Sequence, residues 1–311
     1  MEQLPEKTRK VERLNEMPEE WRALREKILE NFESKTDGLD IERVKDFMKE
    51  RGLPITDFVI FDDEDLSDLQ DLFGDKKIPF EWISKYDALY LPGYNLVFVH
   101  RRRELEKING TVYTEGQFVH EEGHAAGNPE YFKIKNRFAR PRSGFGLNRD
   151  GENYWGQFLE EGFADMLRGE YMKKNLPSEH KEKILKELEN KKIPVHSGAI
   201  HNDVSGVENK TSSKFTYDVS IKYLHINEKT NLDYRTPSVA ATGLEMLCEK
   251  QPKLKEVLFE ARTDIEKLRE IPRLINEIKP GLYLEIQKCL RTYEDFSRVQ
   301  NIIKEAIQNS A

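Results

Sequence analysis

The sequence predicts an α+β fold: a small mixed sheet ahead of a central motif helix, then a mainly helical C-terminal half. Three observations carry that expectation. Short β-rich runs cluster in residues 55–112, helical periodicity dominates the chain beyond residue 112 apart from a mixed segment at 191–235, and no repeat or low-complexity linker separates the two regions.

Residues 5–51 read as charged amphipathic helices, broken near Thr36-Asp37-Gly38 and stopped by Arg51-Gly52-Leu53-Pro54. Phe58-Val59-Ile60-Phe61 and Leu96-Val97-Phe98-Val99 are rich in β-formers. Ala88-Leu89-Tyr90-Leu91 runs into a Pro92-Gly93-Tyr94-Asn95 turn, which predicts a hairpin, and a second turn falls at Asn109-Gly110. Helices are expected over 113–126, 152–174 and 178–190. A nearly continuous helical series then runs from 237 to 309, interrupted by Pro252, Pro272 and Pro280-Gly281. Residues 191–235 are mixed. The implied organisation is an N-terminal helical segment (1–54), a core carrying the motifs (55–190) and a mainly helical C-terminal subdomain (191–311).

The chain has 311 residues, 37% hydrophobic and 34% charged, enough apolar material for a sizeable core. Its formal net charge of -7 lacks the basic footprint of a nucleic-acid binder. Arg101-Arg102-Arg103 reads as a solvated edge. Cys248 and Cys289 sit in apolar helical patterns and read as buried, reduced thiols. The N-terminal residues contain no apolar signal segment, and no run approaches a membrane span, so a cytoplasmic protein with no membrane partner is expected. Asn109 and Asn209 match the glycosylation pattern and read as chance matches in that setting.

The chemistry lies in Val119-His120-Glu121-Glu122-Gly123-His124, an HExxH pattern. Residues four apart share a helix face, so His120 and His124 can bind one zinc ion. Glu121 can reach a water beside the metal without ligating it, and can take that water's proton as general base. A charged Glu122 at the first x position is unusual for a buried metal helix, whereas Gly123 suits close helix packing. A second helical segment contains Tyr154-Trp155-Gly156-Gln157-Phe158-Leu159-Glu160-Glu161-Gly162-Phe163-Ala164-Asp165.

These two segments resemble the gluzincin zinc metallopeptidases, in which a glutamate on a second helix, within patterns such as Asn-Glu-Gly-Phe-Ala or Glu-x-x-x-Asp, is the third ligand. The resemblance implies a zincin-like core, one Zn2+ per chain held by His120, His124 and Glu161, and an Asp165 that accepts a hydrogen bond from the second nitrogen of a ligating histidine. Glu160 stands where the aminopeptidase branch has Asn, and reads as a solvated or rim carboxylate. The His-x-x-Gly-x-x-His extension of metzincins is absent after His124. Glu161 follows His124 by 37 residues, nearest the spacing of the lethal-factor type and the Pro-Pro endopeptidases, which keep a tyrosine seven positions before the glutamate. Tyr154 holds that place here. On a continuous helix it would share a stripe with Phe158, Glu161 and Asp165, and its phenol could stabilise an oxyanion.

By the same resemblance, the other candidates for an oxyanion donor are His225 first, then Tyr223, Tyr217 and Tyr234, each of which reads individually as a structural residue. His196 and His201 read as surface residues. Leu96–His100 is expected to be the edge strand along which a substrate pairs. The Gly-x-Met-Glu-Asn motif that aminopeptidases use to hold a free amine is missing between Ala88 and His120, which favours an endopeptidase acting on peptide or protein substrates. Two other readings remain open: a zincin-fold binding or regulatory module with little hydrolytic activity, and a helical interaction protein with a chance motif. An intact Glu121 speaks against the former, and the Glu161–Asp165 pair against the latter.

Overall fold

A computed structural model describes residues 11–74, 77–103, 106–107, 110–127, 131–134, 137–139, 142–148, 154–179, 224–225, 233–234, 236–289 and 293–309. The architecture is mixed α/β and mostly helical, with small sheets. The N-terminal segment departs from the expected run of helices at its start. Val11–Leu14 is a strand, β1, paired antiparallel with Tyr131–Ile134 far downstream. Helix α1 (Glu19–Asn31) comes after Pro18, carries Glu19 and Glu20 in its first turn where the helix dipole favours anions, and buries Leu24 and Ile28. Helix α2 (Ile41–Lys49) is capped by the Asp40 side chain, which accepts the Arg43 N–H at 2.9 Å; it buries Val44, Phe47 and Met48.

The expected β-rich runs form one sheet. Strand β2 (Asp57–Phe61) leads through helices α3 (Leu66–Phe73) and α4 (Lys77–Lys85) to a hairpin of β3 (Ala88–Leu91) and β4 (Leu96–His100). The order is β2-β4-β3, with β4 parallel to β2 and antiparallel to β3. Strand β4 is therefore central, which corrects the expectation that it forms the edge; the edge beside the motif helix is β3. The physical reason is composition. All five residues of β4 are buried, and a continuous apolar strand needs cover on both faces and partners on both sides.

Helix α5 (Val112–Ala125) carries the HExxH pattern, and every one of its residues except Glu121 is buried. Short strands β5 (Tyr131–Ile134), β6 (Arg137–Ala139), β7 (Arg142–Ser143), β8 (Gly146–Asn148) and β9 (Tyr154–Trp155) lead to α6 (Gln157–Asn175). Strands β10 (Leu224–His225) and β11 (Asp233–Tyr234) pair with each other. The helical series comes next as α7 (Thr236–Lys250), α8 (Pro252–Thr263), a 3-10 segment (Ile265–Arg269), α9 (Glu270–Ile278), α10 (Leu282–Gln287) and α11 (Tyr293–Gln308). Pro252 starts α8, where its missing N–H costs nothing, and Gly281, at φ 84°, restarts the chain before α10. Helix α6 is buried between α5 and α7, and one apolar cluster extends from Val44 on α2 to Ala306 on α11. No helix among the described residues is long and apolar enough to cross a membrane.

Candidate metal centre

Two buried helices can touch only where side chains are small. A Cβ on Gly123 would lie 3.0 Å from the Ala164 Cα and 3.2 Å from its Cβ, so glycine there lets α5 and α6 approach backbone to backbone. That contact sets His120, His124 and Glu161 opposite one another. The Nε2 atoms of the two histidines are 3.2 Å apart, and Glu161 Oε2 is 3.7 Å from each. The three residues form a buried group that could hold a metal ion, with candidate ligand atoms all within 4.8 Å of one another.

Each histidine turns its Nδ1 away from this point towards a carboxylate. His120 Nδ1 lies 3.4 Å from Asp165 Oδ1, and His124 Nδ1 lies 2.8 Å from Glu160 Oε1. A proton held on Nδ1 leaves the Nε2 lone pair available for ligation. In the metal-free chain burial lowers the His120 pKa, but Asp165, Glu161 and Glu121 outweigh it and bring it up to about 9, so a metal ion binding there would displace the Nε2 proton. Asp165, the residue nearest His120 Nδ1 in this arrangement, accepts from Arg168 Nη1 at 3.2 Å.

Glu160 corrects the expectation of a solvated carboxylate. It is buried, accepts the Phe145 N–H at 2.7 Å, and receives Arg262 Nη1 at 3.2 and 3.0 Å on its two oxygens. Burial raises its pKa, yet Arg262, His124 and the Phe145 amide together hold it below the usual value. The sequence offered no local sign of this, because Arg262 lies 102 residues away.

Glu121 accepts the Tyr90 N–H of edge strand β3 on its Oε2 at 2.7 Å. Glu122 points elsewhere, since adjacent residues are about 100° apart round a helix. It is fully buried, takes the Thr56 N–H at 2.9 Å, and burial raises its pKa well above the ordinary value.

The helical stripe expected through Tyr154 is also corrected. Gly156, at φ 76°, begins α6, and Tyr154 lies before it in β9, paired with Asn148. A side chain at Gly156 would collide with the Phe145 carbonyl oxygen, so helix starts only at Gln157 and the stripe only at Phe158. His225 lies in β10 opposite Asp233, and Tyr234 in β11 opposite Leu224. Tyr217, Tyr223, His196, His201, Asn109, Asn209 and all but the first two residues of the helix expected over 178–190 fall outside the described residues.

His100 ends the central strand as a buried ring, stacked on Phe61 and 2.8 Å from Asp63 Oδ1. Arg101 is buried, not a solvated edge: it binds both oxygens of Glu106 at 2.9 and 2.8 Å, and the carbonyls of Lys35 and Asp37 at 2.9 and 2.8 Å. Cys248 and Cys289 are buried and unbridged, with burial pushing both thiols up to about 12. No family, curated protein or solved structure matches the chain.

Proposed function

We propose that the chain is a zinc-dependent peptidase of the gluzincin type, most simply an endopeptidase. The observation that carries this is the buried His120–His124–Glu161 group with Glu121 beside it. The donor set fits zinc. The point equidistant from the three facing atoms lies about 2.1 Å from each, the reach of a zinc–nitrogen or zinc–oxygen bond. Both histidines have a carboxylate at their outer nitrogen, the support a ligating imidazole needs. When bound there, zinc would polarise a scissile carbonyl and acidify a water.

The chain's own residues would do the rest. Glu121 takes a proton from the attacking water as the C–O bond forms, then delivers it to the amine nitrogen as the C–N bond breaks. The Tyr90 N–H fixes one of its oxygens, leaving the other for this transfer. Strand β3 borders the site and supplies the edge along which an extended peptide can pair. Tyr154 remains the proposed oxyanion donor, from the strand–helix junction and not from the helix.

Metal analysis of the purified chain should find one zinc equivalent. Glu121→Gln should keep that zinc and lose turnover by about 10²–10⁴-fold, and Tyr154→Phe should lose about 10²–10³-fold with little change in KM. Well under one equivalent after supplementation would sink the reading. Full activity in Tyr154→Phe would move the donor role to His225 or Tyr223.

A further inference from the structure

Behind His124 lies a buried ion pair between Glu160 on α6 and a cation from a part of the chain remote from both motif helices. Arg262, on α8, is 1% exposed, and Glu160 is 3% exposed. The guanidinium carbon sits 4.1 Å from the Phe145 ring centre and 4.2 Å from that of Phe163, so the cation lies in the corner formed by these two rings, which meet edge-to-face at 5.6 Å and 85°. Nη1 reaches both oxygens of Glu160. Gly144, at φ +53°, turns the chain here, and a side chain on it would collide with both Arg262 Nη1 and Glu160 Oε2.

Glu160 is thereby fixed from three sides: Arg262, the Phe145 amide and the His124 ring. A buried carboxylate keeps its place only while its charge is matched. Without Arg262, Glu160 would be pulled towards water, and the acceptor that orients the His124 imidazole would go with it. We infer that Arg262 is a positioning residue for the metal centre, acting through Glu160 to aim His124 Nε2, and that the C-terminal helices are therefore part of that centre. The inference rests on the metal-site reading above and deepens it.

The test measures zinc affinity of the full-length chain by competition with a chromophoric chelator. Arg262→Met fills the space between the two rings but removes the charge. It should weaken zinc by about 10–100-fold, the usual scale for losing support to a ligating histidine. Glu160→Gln leaves an NH2 facing either the Phe145 N–H or His124 Nδ1, so it should weaken zinc by a similar factor, and the double variant should be little weaker than either single, because both changes break one support of His124. A purely structural Arg262 would lower the melting temperature in both variants and leave zinc affinity unchanged. Unchanged affinity in Arg262→Met, or losses that simply add in the double variant, overturns the inference.

If Arg262→Met does not fold, Arg262→Lys carries the test by NMR. The His124 Nδ1–H resonance should shift from its wild-type position while that of His120 stays; an unmoved His124 resonance overturns the inference. Failure of the wild-type chain to bind zinc would overturn the metal-site reading as well, whereas normal binding by Arg262→Met overturns this one alone.

Discussion

His100 is a buried imidazole that meets Asp63 at 2.8 Å and Arg102 Nη1 at 3.3 Å, with Phe61 stacked against its face. Burial lowers its pKa, Arg102 lowers it further, and Asp63 and Asp87 oppose them without winning. The folded chain therefore binds this proton less readily than the unfolded chain. The stability that the neutral ring contributes is present above about pH 6.5, the ordinary histidine value, and is lost as pH falls through the depressed one. His100→Gln keeps a donor for Asp63 and cannot titrate, so its melting temperature should fall less than the wild type's between pH 7.5 and 5.5. Parallel slopes for the two proteins would remove His100 as a cause. The neighbouring Arg101 shows why single residues are hard to read from sequence. Three consecutive arginines look alike, and what separates them is Glu106 together with two carbonyls more than sixty residues upstream.

Helices and strands were more legible than the side chains they carry. The β-rich runs became β2, β3 and β4, and the Pro92–Asn95 turn became the hairpin, because period, turn chemistry and apolar content are local signals. The order of the strands was not local, and β4 took the centre. The start of α6 hinged on Gly156, whose left-handed φ no helical pattern reveals. The crossing of α5 and α6 also hinges on one glycine. Gly123→Val would push against the Ala164 backbone and the Leu167 side chain, both within about 3.2 Å of its Cβ position. Overpacking of this kind costs about 1–3 kcal/mol. It should also spread the histidine helix from the glutamate helix, so zinc affinity should fall along with the melting temperature. If stability drops and zinc affinity does not, the helix spacing has more play than the close backbone contact implies.

At the scale of the molecule, a metal at His120, His124 and Glu161 would cross-link two central helices. A ligand that binds only the folded chain stabilises it by about 2.7 kcal/mol at one hundred times its Kd. Removing zinc with a chelator should therefore lower the melting temperature, and excess zinc should restore it; identical melting curves with and without metal would contradict a bridging site. The mixed α/β class was legible from local periodicity, and each half of the His120–His124 and Glu161–Asp165 pattern from the spacing within its own helix. The Arg262 contact was not, because it depends on how α8 packs against α6 and the β7–β8 turn. That contact also imposes an order in time. A ribosome adding about 5–20 residues per second delivers Arg262 roughly 5–20 s after Glu160. The nascent chain thus holds both histidines and the glutamate donor while the cation that steadies His124 has yet to be made.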